Sequence, residues 1–446
     1  MKTYGSLIAL AIVAILAGVF VATRDEPAQT VEAPYSIAKI ENLSRLELTR
    51  PGDELVVLTK TEGKWALTKP LEAPIAEDVA TELDAAFAKK ITTDDLALSA
   101  EQAADYELDA EHAMKVALYA GGADVPSAEF HLGKSIEVPG TRAERTFIKT
   151  SDGKVYRART GLGDVLRRDV ASLRSRQIQQ YERAAIDQVS VNYQDGSSVT
   201  LKREDGDAWK LTAPASDMQL EKSRVSALLS NFANLVANGF VDDKKPAEVG
   251  LDPPFAEVVA KVDGETRRVL VSPPVEGEKK FYARRPNAPH IYEISKTTGE
   301  ALTPTPLTLR NRLVLDVDTA AITRVAFDGE DRAVVEKQDE GTWKLVRPKK
   351  AAVKESALTP LLNTFAQLRA IRFEDKPLAE TGLNKPSMRL TFTADGKSHT
   401  LLVGDEADKK GNLYATWQGS DLIMVVPQWI KERASTEAGA LTEDET

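Results

Sequence analysis

Between Ile186 and Leu211 apolar residues fall at alternate positions. Val189, Val191 and Tyr193 are followed by QDGSS, then Val199 and Leu201, then EDGD, then Trp209 and Leu211. Alternation broken by Asp-Gly predicts an antiparallel meander with one buried face. Pro214 has no N–H to give a ladder and ends the last strand. The period then changes. Val225, Leu228, Leu229, Phe232, Leu235 and Val236 follow i, i+3, i+4, i+7, the stripe of an amphipathic helix. Strand-like runs return in RRVLVS and KKFYARR. A helix on one face of an antiparallel sheet is an α+β arrangement.

The same succession is written three times. Trp65-Leu67-Pro70, Trp209-Leu211-Pro214 and Trp343-Leu345-Pro348 share W-x-L-x-x-P. Phe87, Phe232 and Phe365 then follow in LDAAFAKK, LLSNFANL and LLNTFAQL, and Leu108, Leu251 and Leu383 keep step beyond them. Upstream, LSRLEL, IDQVSV and ITRVAF open the copies. One match to three fixed positions is weak; landmarks that stay in register three times mark an internal repeat. The third helix repeats the stripe at Leu358, Leu361, Leu362, Phe365 and Leu368. The first keeps Val79, Leu83 and Phe87 among alanines and is expected to pack more thinly. Each Trp alternates with a leucine on a strand and each Phe lies on a helical stripe, so these residues read as core and not as ligand platforms. The expected fold is three tandem α+β repeats in line, an elongated body; one intertwined domain with exchanged strands is the competing picture.

Two copies end in L-R-x-R, with Arg174 and Arg176 in one and Arg310 and Arg312 in the other, at the same distance from the next copy's first strand. No L-R-x-R follows the third copy, which assigns the element to the joints between units. Paired arginines there either clamp a carboxylate or phosphate ligand or hold neighbouring units together through carbonyls and acids, and the second is favoured. The boundaries read as 37–181, 182–317 and 318–430 for the repeats and 24–36 for a linker. Residues 431–446, without apolar period and acidic at the end, read as a disordered tail.

At the other end, YGSLIALAIVAILAGVFVAT at residues 4–23 carries no charge and is followed by Arg24, Asp25 and Glu26. A helix rising about 1.5 Å per residue makes that long enough to cross a hydrocarbon core of about 30 Å. The run exceeds a usual signal peptide, and bulky Phe20 sits where a small residue belongs before a cleavage site. Residues 1–23 are therefore expected to be an uncleaved single-pass anchor, with a cleaved signal segment as the alternative and everything after Thr23 outside the cytoplasm in either case.

Length and charge narrow the class. A chain of 446 residues needs several domains, and a net charge of −10 argues against general binding to nucleic acid or anionic lipid. No cysteine is present, which excludes disulfides, thiolate metal sites and a cysteine nucleophile. His112, His131, His290 and His399 lack metal-ligand spacing, and no Walker A, G-x-S-x-G, H-E-x-x-H or EF-hand pattern occurs. Gly161-Leu162-Gly163 lacks the third glycine of a dinucleotide fingerprint and reads as a turn. Neither a cofactor nor a metal nor an enzyme activity is expected.

These parts together resemble the DUF4340 proteins, a bacterial family that combines an N-terminal membrane segment with copies of W-x-L-x-x-P, an amphipathic helix, GL-x-x-P and a vG…Y hairpin. Gly250-Leu251 with Pro254 and Gly382-Leu383 with Pro386 match the third part; Gly133 and Gly404, with Tyr282 and Tyr414, match the last. The first copy departs with Glu107-Leu108, and the second with Ser272 in place of glycine. The resemblance implies no catalytic residues and an association with gliding-type ABC exporter components. The expectation is a non-enzymatic scaffold or partner-binding protein of the bacterial envelope, single-pass in the inner membrane through residues 4–23, mostly periplasmic, with an envelope protein, an ABC transporter among the candidates, as partner and no nucleic acid. The alternative is a solute- or glycan-binding accessory of an ABC-type export system, its cleft lined by the joint arginines.

Overall fold

Alternation in the second copy produces the strands Ile186–Tyr193, Ser198–Arg203 and Trp209–Ala213, with Val189, Val191, Val199, Leu201 and Leu211 turned inward and at most 2% exposed. Pro214 stops the third strand, as Pro70 and Pro348 do in the other copies, and in all three the peptide before that proline is cis. The computed structural model describes residues 35–442 apart from 53, 97–99, 142 and 328–332. The expected anchor at 1–23 lies outside the described residues. Among those described, no helix is long and apolar enough to cross a membrane.

Helical periodicity is met at Glu77–Phe87, Lys222–Ala233 and Glu355–Ala366, but the stripe ends sooner than its period suggested: Leu235 and Val236 lie in the strand Asn234–Val236, with Val236 exposed, and Leu368 lies beyond the third helix. The first helix buries only Val79, Leu83 and Phe87, whereas the others bury five side chains each, so it does pack more thinly. Pro360 lies inside the third helix, whose buried stripe continues past it.

The sheet order is the part that pattern reading left open. In the second copy eight strands stand in the spatial order 3-2-1-5-6-7-8-4, all pairings antiparallel. The meander supplies 3-2-1. After the long helix the chain lays Gly239–Val241 at the far edge, returns to pair Ala256–Val262 with the first strand, and works outward again until Ile291–Ser295 meets that edge strand. The other copies keep this order and add short strands: Ser36–Ile37 and Ala73–Pro74 bring the first sheet to ten, and Ala351–Ala352 brings the third to nine. Each of these sheets draws on one copy's strands, so no strand is exchanged among the described residues. Three separate cores result, each built from one face of a sheet and its long helix.

Compactness groups the copies unevenly, with Met1–Arg176 as one unit and Gln177–Thr446 as a second that holds two repeats. Several expected boundaries shift. Gln177–Gln180 pairs with Asn234–Val236 and belongs to the second repeat. Residues 313–317 bond the third repeat through Val314 N to Leu368 O and Val317 N to Ala366 O. Ser36 is not linker but edge strand, paired with Thr92.

The acidic tail is a correction. Trp429–Ala434 and Ala438–Leu441 are helical, and Leu441 is fully buried. Its carbonyl accepts from Lys354 N, as Leu173 O accepts from Ala76 N and Leu309 O from Glu221 N. The element beneath L-R-x-R therefore belongs to every repeat, because it closes the start of the long helix; only the arginines are particular to the joints. The departures at the hairpin also resolve. Glu107 adopts φ 55, the left-handed conformation taken by Gly250 (φ 69) and Gly382 (φ 72). A Cβ at Gly133 or Gly404 would meet the carbonyl oxygen of Tyr106 or Thr381. That carbonyl approaches because it accepts from the next N–H, of Lys134 or Asp405. In the second copy the next residue is Pro273, which has no N–H, and Ser272 fits, buried, with its hydroxyl bonded to Tyr282 N and Pro273 O.

Candidate functional site

The turn after Trp209 leads to Glu221, at the start of the Lys222–Ala233 helix, and the chain between Leu309 and Leu313 runs antiparallel to it. Glu221 N donates to Leu309 O and Asn311 N to Gln219 O, both at 2.8 Å. This pairing brings the second joint against the helix start. The Glu221 carboxylate is 12% exposed, and its Oε2 accepts from Arg312 N at 3.2 Å, Arg312 Nε at 3.4 Å and Arg369 Nη2 at 2.9 Å. Burial pushes its pKa up, but the Arg312 backbone and guanidinium and the charge of Arg369 outweigh that and hold the carboxyl below its ordinary range. Proximity to a helix N-terminus favours the same ionised form.

The four joint arginines are thus not one site. Arg312 is committed to Glu221. Arg310 turns the other way, with its guanidinium 5.8 Å from the centre of the Phe373 ring, beside a cleft of about 240 Å³ with Trp417 and Met424. Arg174, 2% exposed, forms a backbone bridge with Ile75, and Arg176 is exposed. For Arg312 the structure favours the linking role, two repeats tied through an acid.

Glu221 and Arg369 went unnoticed in the sequence, although a signal was there. Aligned on the helix phenylalanines, Glu221 stands where the other copies have Ala76 and Lys354, and Arg369 where they have Ile91 and Val236. An acid and a base that depart from a repeat in the same pair of neighbouring copies are candidates for contact.

The aromatic signature divides likewise. Phe87, Phe232 and Phe365 are core, at 7%, 0% and 3% exposure. Trp65 is core as well, its indole N–H donating to Asp84 Oδ1 at 2.9 Å with Lys60 against the ring. Trp209 and Trp343 are only half-buried. Leu229 and Leu362 replace Asp84 in their copies, so these indoles have no such acceptor. Trp209 carries Arg203 at 5.0 Å from its ring and borders a cleft of about 670 Å³ with Val225, Leu229, Gln219, Asn311 and Arg369. A second cleft, about 790 Å³, lies between Tyr193, Phe255, Pro214 and Pro306, where burial pushes the Tyr193 phenol up and its hydroxyl donates to Pro304 O.

The histidines stay apart. His112 is exposed and bonded to Asp109, while burial, then Lys149 and Lys115, push His131 down. No three His, Asp or Glu side chains among the described residues converge as metal ligands would.

Among known proteins, the model of a domain of unknown function, DUF4340, matches residues 65–254, 247–378 and 372–445. No curated protein and no solved structure matches.

Proposed function

The chain belongs to the DUF4340 family, and from that premise we propose that it is a non-catalytic scaffold or partner-binding protein of the bacterial envelope, anchored in the inner membrane by residues 4–23 with its bulk in the periplasm. The observation that supports this reading is the closure of the joint on itself. Glu221 receives Arg312 and Arg369, so the polar groups that meet at this joint hold two repeats together. A surface fixed in that way suits recognition of a protein, for which rigid presentation lowers the ordering cost of binding. The test is affinity purification of the full chain from membranes beside a chain with residues 177–446 deleted. A partner enriched only with the full chain is the expected outcome; identical eluates would remove the proposal.

The Trp209 cleft favours a second reading, an accessory of an ABC-type export system that binds a solute or glycan. A half-exposed indole beside two carboxamides and an arginine offers a stacking face and directed donors, a combination typical of small-ligand clefts. Thermal stabilisation by chito-oligosaccharide, lost in Trp209→Ala and retained in Trp343→Ala, supports it. An unshifted wild-type melt excludes that ligand and, with it, the glycan form of this reading.

A further inference from the structure

Toward the same end of each sheet, the strands and the loops beside them carry a charge cluster on the face away from the long helix, and the three clusters differ in sign. In the third repeat Arg372 bonds Asp408 and Glu374, and Lys376 bonds Glu374, which balances. In the second, Lys280 lies between Glu278 and Glu293, one negative charge in excess. In the first, one carboxylate meets three guanidinium groups: Asp94 accepts from Arg145 at 3.1 Å, Arg157 at 3.2 Å and Arg159 at 2.8 Å. The cluster keeps two positive charges in excess, and its arginines are 30%, 36% and 50% exposed. Alternation puts Arg145, Phe147 and Lys149 on this face and sends Glu144 and buried Thr146 to the other, so the neighbouring acid does not cancel it.

The position of this cluster gives it a partner. Tyr35 stacks at 4.7 Å on Tyr156, whose ring belongs to the core and so lies on the sheet face opposite Arg157; Ser36 pairs with Thr92, and Thr93 Oγ1 donates to Tyr35 O at 2.7 Å. The chain thus joins the fold two residues from Asp94. Residues 24–34 separate this place from the apolar run, a reach of at most roughly 40 Å extended and about 20 Å as a relaxed coil. We propose that Arg145, Arg157 and Arg159 bind the phosphate of an anionic phospholipid headgroup beside the anchor. The proposal rests on the anchored reading given above. Guanidinium forks match phosphate oxygens geometrically, and each adds attraction near an anionic leaflet. The net charge of −10 argues against attraction of the whole chain to such a surface; here the tether supplies the proximity and the cluster only the contact.

The test reconstitutes the full chain in nanodiscs of phosphatidylcholine with or without phosphatidylglycerol and follows hydrogen exchange in Glu144–Lys149 and Val155–Ala158. Phosphatidylglycerol should slow exchange there by roughly fivefold or more. The effect should vanish in Arg157→Gln with Arg159→Gln, and grow in Asp94→Asn, which frees the arginines without removing them. Equal exchange in both lipids overturns the proposal, as does the same protection from millimolar inorganic phosphate in phosphatidylcholine alone, which would mark a soluble-anion site. Carbonate extraction of the same samples reads the anchor separately. A chain that washes out defeats the anchored reading, and one that stays in the bilayer unprotected defeats only the headgroup contact.

Discussion

Glu221 shows how one side chain can decide a joint. Removing its charge leaves Arg312 and Arg369 facing each other with no acid between them. Glu221→Gln is expected to destabilise the Gln177–Thr446 unit by about 1–2 kcal/mol, less than a fully buried pair because both arginines are partly solvated; urea unfolding followed by tryptophan fluorescence measures it. The pH dependence has a definite sign. A carboxyl whose folded pKa lies below its unfolded value of about 4.3 contributes stability above that value and loses it as the pH falls through the folded one. The gap between wild type and Glu221→Gln should therefore be full at neutral pH and close on acidification below about pH 4. A gap that persisted there would assign the effect to packing. At the hairpin, Gly382→Ala should cost about 1 kcal/mol or more, since it combines φ 72 with a Cβ driven into Asp405. Glu107→Gly should be neutral or stabilising by up to about 1 kcal/mol, relief of φ 55 offsetting the lost contact with Arg167.

Among the elements, the short helix Ala438–Leu441 is the one whose importance the sequence conceals. Leu441 is buried and its carbonyl receives Lys354 N, so Leu441→Ala should cost about 2–4 kcal/mol, whereas a disordered tail would make it silent. Chemical denaturation of the two chains separates these outcomes. A lone leucine among Thr, Glu, Ala and Gly gives no period to read. Its role was legible only by analogy with Leu173 and Leu309, and the arginines after those two drew attention to the joints instead. The long helices were legible because their stripes repeat over three turns. Strand order was not: each strand of the second half alternates like its neighbours, and alternation names a face without naming the strand beside it.

For the whole molecule, the hydrophobic core of the first repeat runs from Ile37 to Leu173 without help from later residues. A fragment of residues 35–176 is accordingly expected to fold and melt cooperatively by calorimetry; a fragment without a transition would show that the Met1–Arg176 unit depends on the rest of the chain. W-x-L-x-x-P, the helical phenylalanines and the Asp-Gly turns settled the number of repeats and the α+β class, because burying one face of each strand and helix imposes a period that any reader of the chain can count. Family membership followed from the same residues. The order 3-2-1-5-6-7-8-4, the attachment of Gln177–Gln180 and Leu441 to their repeats, and the meeting of Glu221 with Arg312 and Arg369 were decided by tertiary structure alone. Each depends on which segments come to lie side by side after the chain has crossed the sheet. That is a matter of long-range pairing between surfaces that look alike in sequence, and no local period encodes it.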